Sequence, residues 1–228
     1  MGQSAFFVNF FVALFALIDP IGNVPLFAAA TVGASPAGRR WVAAYISAFA
    51  FVFMAFFWFT GVSLLQFFGI SLPAFRIAGG VILFMLGLNM TRDDFTAAFA
   101  DAAETGEPET ARAYARKRFE RLVVPFAMPL LIGPGAISTA VIYAGEAHHF
   151  GLAGLGVGLG AIAAVCLVTM LCFWLSPLIS RLLGKIGMTI VVRVLGLILC
   201  ALAVQFVIAG MAEVTHGMVR PSVATPYQ

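Results

Sequence analysis

The order of apolar and polar positions divides the chain into six long apolar runs separated by short polar connections. A bilayer core about 30 Å thick takes about 20 helical residues. On that scale the runs predict an all-α membrane protein with spans at about residues 5–31, 41–68, 73–91, 122–145, 151–178 and 188–212. "GASPAGRR" joins the first pair, "FGISLP" makes a tight turn before the third, and "GEAHHFG" and "SRLLGKIG" supply the last two connections. In the linker over residues 92–121, "TARAYARKRFERL" spaces its charges three and four apart, which predicts a surface helix leading into span four.

Two runs carry residues that a helix through lipid should lack. "FALIDPIGNVPLF" spans Phe15 to Phe27 and "PLLIGPGAISTAV" spans Pro129 to Val141. Pro20 and Pro134 each delete a backbone hydrogen bond and disfavour helix at the residue before them. Both breaks fall about midway along their spans. Bare backbone at that depth survives only where protein or a water-filled cavity covers it.

Composition settles the broad class. Of 228 residues, 62% are hydrophobic and 10% charged, where a soluble domain carries roughly 25% charged residues; mean hydropathy is +1.03. Thirteen of the 23 charged residues lie between Arg92 and Arg121. The chain reads as an integral membrane protein with one polar loop. A pI near 9.0 does not point to nucleic acid, because the basic residues are split among loops and the charged segment holds six basic against seven acidic residues. Cys166, Cys172 and Cys200 all fall in apolar spans without metal-ligand spacing, so they read as buried small hydrophobes, and neither metal nor cofactor is expected. No Lys or Arg precedes Arg39 and the first run continues to about Ala30, so the first segment is expected to stay as a helix rather than leave as a signal peptide.

Lys and Arg counts set an expected orientation. With the amino terminus outside, the cytoplasmic connections hold Arg39, Arg40, the six of the large loop, Arg181 and Lys185, against Arg220 and the just-submerged Arg76 on the other side. Both termini are therefore expected outside. Trp41 and Trp174 fall near cytoplasmic span ends, as interfacial anchors do.

The halves also align. Asp19-Pro20-Ile21-Gly22 meets Gly133-Pro134-Gly135-Ala136, and "RIAGGVIL" from Arg76 meets "RVLGLILC" from Arg193. Each third span thus opens with Arg followed three residues later by Gly. Three spans per half is an odd number, so equivalent helices run oppositely: a 3+3 inverted repeat, with residues 1–91 as the first half, 92–121 as a cytoplasmic charged loop and 122–228 as the second half. Secondary transporters use that plan, with sites formed by discontinuous helices at the repeat interface.

"DPIGNVPLF", "IGPGAIS" and the paired "RIAGG" and "RVLGLIL" segments resemble the MarC family, also called the neutral amino acid transporter family. The resemblance covers essentially the whole chain. It implies six helices in a three-plus-three arrangement distantly like the LysE exporters and location in a bacterial inner membrane. For some members it implies transport of glycine, alanine and similar amino acids with a coupling ion.

The residues themselves frame a site. The half-helices after Pro20 and Pro134 are expected to present free N–H groups to a carboxylate, and those ending near Ile18 and Ile132 unpaired carbonyls to an ammonium group or cation. A small zwitterion fits such a place, and Gly22, Gly133 and Gly135 let backbone approach closely. Asp19 is the only acidic residue near the middle of a span, so it is the candidate for coupling to H⁺ or Na⁺, against a structural reading as a cap on the second half-helix. Asn23, Ser138 and Thr139 lie within a turn of the breaks and are candidates to bond ligand or orphan backbone, whereas Pro25 is expected to add a second kink. Arg76 and Arg193 either snorkel to headgroups or gate one mouth each. His148 and His149, beside Glu146, read as solvated loop. An enzyme is not expected: an aspartyl protease needs two carboxylates in the spans, and the histidines lie outside the hydrocarbon or, as His216, beyond span six. A passive channel or an exporter of another small polar solute is the alternative. Apolar outer faces admit a homo-oligomer without arguing for one.

Overall fold

In the computed structural model of the protein, residues 2–92, 110–122 and 131–215 are described. The acidic part of the predicted loop, the opening of the fourth predicted span and the tail with His216 and Arg220 lie outside the described residues. The described residues are helical with no strand. In chain order the helices are α1 (Gln3–Ile18), α2 (Val24–Ala30), α3 (Pro36–Phe67), α4 (Leu72–Met90), α5 (Ala111–Leu122), α6 (Pro134–Ala147), α7 (Gly151–Trp174) and α8 (Ser176–Val214). A 3₁₀ turn, His148–Phe150, joins α6 to α7.

Starts and stops follow local chemistry. The hydroxyls of Ser35 and Ser71 accept hydrogen bonds from the N–H groups of Gly38 (3.0 Å) and Ala74 (3.3 Å), capping α3 and α4, and each helix has proline in its first turn where a missing N–H costs nothing. Pro25 does the same for α2, so it opens a helix and does not add the expected kink. "SRLLGKIG" is also helical on both sides of one break, at Gly184 with φ 63°. Among the described residues, four stretches are long and apolar enough to cross a membrane: Pro36–Phe67, Leu72–Met90, Gly135–Trp174 and Thr189–Val214, with Gln3–Ile18 a shorter apolar helix. The third of these holds α6 and α7 on either side of the turn at Gly151.

The long helices bury narrow stripes, whereas the short α2 is enclosed on all sides. Phe6, Phe10, Leu14 and Ile18, one residue in four, form the buried face of α1. Phe10 stacks on Tyr143 of α6 at 4.7 Å between ring centroids and on Trp58 of α3 at 5.1 Å. Trp58 in turn fits against Gly158 of α7, where an added Cβ would lie 2.1 Å from the indole. Outward faces carry large apolar side chains, among them Val12, Phe56, Met85 and Leu197.

The tightest seam joins α4 to α8. Added Cβ atoms on Gly80 and Gly87 would lie 2.7 Å from the carbonyl oxygens of Ala203 and Gly196, and one on Gly210 would lie 2.9 Å from that of Pro73. Position falls on one helix as it rises on the other, so the two run antiparallel in a constant register with backbones in contact, as small residues permit. Arg76 of α4 forms an ion pair with Glu213 of α8 at one end of the seam.

The predicted surface helix α5 is more deeply seated than its charge implies. Ala115, Arg118 and Leu122 are fully buried on its inner face, packed towards α3 and the end of α2. The Arg118 guanidinium donates to the Ala30 carbonyl, one of the last carbonyls of α2, through Nε at 2.7 Å and also through Nη2. Burial lowers the Arg118 pKa from its ordinary value, yet a guanidinium stays protonated in proteins. The buried charge therefore sits on the negative end of α2, where a helix dipole favours it. Trp174 donates from Nε1 to the Arg40 carbonyl at 3.3 Å, which ties the end of α7 to the first turns of α3.

Candidate functional site

The first interruption begins at Asp19, which adopts φ 43°, ψ 66° and is the non-glycine residue with positive φ among those described. Aspartate tolerates this left-handed region better than most residues because its short side chain bonds locally. Here the Asp19 carboxylate accepts the Gly22 N–H at 3.1 Å. The Asn23 amide reaches back the other way, donating to the carbonyls of Ile18 at 2.8 Å and Asp19 at 3.1 Å. The Asn23 backbone N–H also donates to Asp19 (3.1 Å), and the Val24 N–H to Ile21 (3.1 Å).

These bonds correct one expectation. The carbonyl of Ile18 and the N–H of Gly22 are not loose ends awaiting a solute; Asn23 and Asp19 close them. The physical reason is distance: residues 19–23 fold into one compact turn, so side chains three to five positions apart reach the orphan groups before any ligand does. Asn23 is buried and its amide serves backbone. Asn23→Asp therefore destabilises the protein more than Asn23→Ala, because a carboxylate faces two carbonyls and cannot donate. Thermal unfolding in detergent is the measurement, with about 1–3 kcal/mol expected for the alanine variant; an aspartate variant as stable as the parent sinks this assignment.

Gly22 has no room for a side chain. A Cβ there would lie 2.1 Å from Asp19 Oδ2 and 2.6 Å from Leu195 Cδ2 on α8. The turn is thus wedged between its own carboxylate and the last long helix.

The second interruption ends at Gly133, the extended N-cap of α6, with Pro134 in the first turn and the Ile137 N–H donating to the Gly133 carbonyl at 3.2 Å. No side chain caps this helix. Its first turns hold Ser138, 1% exposed with a hydroxyl that has no hydrogen-bond partner, and the buried Thr139. A buried hydroxyl without a partner is uncommon and calls for a reason.

The two interruptions meet. A Cβ on Gly135 would lie 3.5 Å from Leu17 Cδ2, at the end of α1, and 2.7 Å from the Phe206 ring of α8. Between them is a hollow of about 10 Å³, lined by Leu17, Gly133, Gly135, Leu199 and Phe206 among others. That is the room of about one water, with Leu199, Leu202 and Phe206 of α8 along its wall. Phe206 escapes sequence reasoning because nothing in "AVQFVIAG" distinguishes it from a lipid-facing side chain. Arg76, expected to snorkel or gate, pairs with Glu213, whereas the Arg193 side chain is exposed at the other end of the seam. Among the described residues no group of three or more His, Cys, Asp or Glu side chains is placed to hold a metal.

The family described as "MarC family integral membrane protein" matches residues 4–215. The chain belongs to the MarC family. Relatives in bacteria and archaea extend over nearly its full length. The UPF0056 membrane protein of Aquifex aeolicus (strain VF5) is 33% identical over 211 residues, covering 90% of this chain and 92% of its own. UPF0056 membrane protein YvbG of Bacillus subtilis (strain 168) is 32% identical over 207 residues, covering 91% and 94%. UPF0056 membrane protein YhcE of Escherichia coli (strain K12) is 28% identical over 215 residues, covering 93% and 94%. No solved structure matches the chain. These names describe membrane proteins and assign no activity. Membership in the MarC family makes the chain an integral multi-pass membrane protein, so the apolar outer faces of α1, α3, α4 and α8 meet lipid.

Proposed function

We propose that this MarC family member is a secondary carrier of small neutral amino acids of the glycine, alanine and serine kind, coupled to H⁺ or Na⁺ in the cytoplasmic membrane. In this reading six spans form a 3+3 inverted repeat with both termini outside, and the chain is not an enzyme. One observation carries it. Two interrupted helices meet at Leu17 and Gly135, one presenting the half-buried Asp19 and the other an uncapped N-terminal turn with Gly133, Gly135, Ser138 and Thr139. Such turns suit a carboxylate, and a carboxylic acid at that depth is costly unless it is neutralised or ion-paired. The α4/α8 register adds support, because positions 83 and 200 are both equivalent in the repeat and opposite in the seam, as a twofold axis requires. The 10 Å³ hollow fits a closed stage of an alternating cycle better than an open pore. In proteoliposomes, counterflow of radiolabelled glycine, alanine or serine is expected to saturate and to respond to an imposed H⁺ or Na⁺ gradient. Fast, nonsaturable flux identifies a channel, and no movement of any of the three removes the substrate assignment.

A further inference from the structure

A second hollow, far larger than the first, lies where α3 ends, α4 begins and α6 ends. It has a volume of about 490 Å³, within the ~300–1,000 Å³ range of small-molecule sites. Leu65, Ile70 and Ile142 give it apolar walls, and Gln66, Glu146 and His149 are polar members of its lining. Phe150, next to His149, packs on Phe6 of α1 at 5.6 Å, so the hollow opens on the side where α1 begins. That side is the outer face in the orientation set by the Lys and Arg distribution.

The hollow has a tight floor. Val62 and Leu65 line it from α3, and Val141, Ile142 and Gly145 from α6. Just inward, Gly61 meets Val141: a Cβ on Gly61 would lie 2.3 Å from Val141 Cγ2. Helices α3 and α6 both run towards the open side, so positions three residues earlier on each lie about 4.5 Å deeper. Those positions are Trp58 and Ser138. They are 2% and 1% exposed, and neither the indole Nε1 nor the hydroxyl has a hydrogen-bond partner. Ser138 also shares the face of α6 that lines the hollow, standing three, four and seven residues before Val141, Ile142 and Gly145. The orphaned hydroxyl of Ser138, beneath the constriction and on the face of α6 that lines the hollow, marks a place that accepts a polar guest intermittently.

We infer that this hollow is the outer mouth of the solute path, and that Gly61 against Val141 is the gate between it and Ser138 at the start of α6. The entering species is a small zwitterion or similar polar solute, with Glu146 at the rim to attract an ammonium group. What passes rests on the carrier reading; the existence of the mouth does not.

Thiol labelling tests it in protein carrying Cys166→Ala, Cys172→Ala and Cys200→Ala. Gly145→Cys adds a side chain where no atom lies within 4 Å of the new Cβ, and Ser138→Cys is nearly isosteric. A membrane-impermeant methanethiosulfonate reagent added outside is expected to modify Gly145→Cys readily and Ser138→Cys at least tenfold more slowly. Adding Val141→Ala raises the Ser138→Cys rate at least tenfold and leaves Gly145→Cys unchanged. Protection of Gly145→Cys from the outside, labelling only from the cytoplasmic side, or a Ser138→Cys rate indifferent to Val141→Ala overturns the inference. The sidedness of Gly145→Cys is read with Val141 intact, so a poorly folded Val141→Ala still leaves the mouth tested. Gated labelling without uptake of any amino acid ends the carrier reading alone, whereas uptake with ungated labelling ends the mouth alone.

Discussion

Asp19→Asn is expected to abolish ion-driven accumulation of substrate, at least tenfold, while leaving the protein folded. Asparagine is the substitution that isolates charge here. Like aspartate it tolerates the left-handed conformation at φ 43°, and its Oδ1 still accepts the Gly22 N–H that now bonds the carboxylate. What it loses is the capacity to take up and release a proton or to balance a cation. Downhill exchange should persist in the variant, while uphill uptake and its dependence on pH or sodium disappear. Proteoliposomes with imposed gradients give the measurement, and a melting temperature within a few degrees of the parent's gives the control. Asp19→Ala serves as contrast: it removes the carboxylate together with the bond to Gly22, so both stability and uptake fall. An Asp19→Asn protein that accumulates substrate normally, with the same ion dependence, removes the coupling role.

Gly22→Ala carries the second large effect, on folding rather than on chemistry. The new methyl would stand 2.1 Å from Asp19 Oδ2 and 2.6 Å from Leu195 Cδ2. Neither neighbour yields easily. The carboxylate is held by the Gly22 N–H itself, and Leu195 belongs to a helix locked against α4 through backbone contacts. Overpacking and the loss of the turn bond together are expected to cost about 3 kcal/mol. For a chain of this length that lowers Tm by about 10 °C. Gly145→Ala is the matched control, since nothing lies within 4 Å of its added Cβ. In a helix interior it is expected to be neutral or stabilising by about 0.5–1 kcal/mol. Equal thermal unfolding of the two variants would show that the turn at Gly22 is not wedged.

Much of the architecture is legible along the chain. The scarcity of charge requires a membrane protein. Pro20 and Pro134 require interruptions, because a residue without N–H removes a helix bond wherever it stands away from a first turn. Ser35 and Ser71, each followed by proline, start α3 and α4 by the same local logic. The seam glycines of α4 and α8 are visible as small residues, although their partners are not.

What escaped the sequence is which group satisfies which. The Ile18 carbonyl is loose in any one-dimensional reading, and only the folded turn brings the Asn23 amide within 2.8 Å of it. Arg118 reads as one more surface charge until α5 docks and carries it under the end of α2. Phe206, Gly61 and Val141 carry no signal of their own, yet Phe206 lines the small hollow and Gly61 meets Val141 beside the large one. Backbone rules act within about one turn of helix, so composition and order settled the class of this protein and the places where its helices break. Contacts between positions far apart depend on how whole helices lie against one another, and that packing alone decided what fills the breaks and which side chains line the hollows beside them.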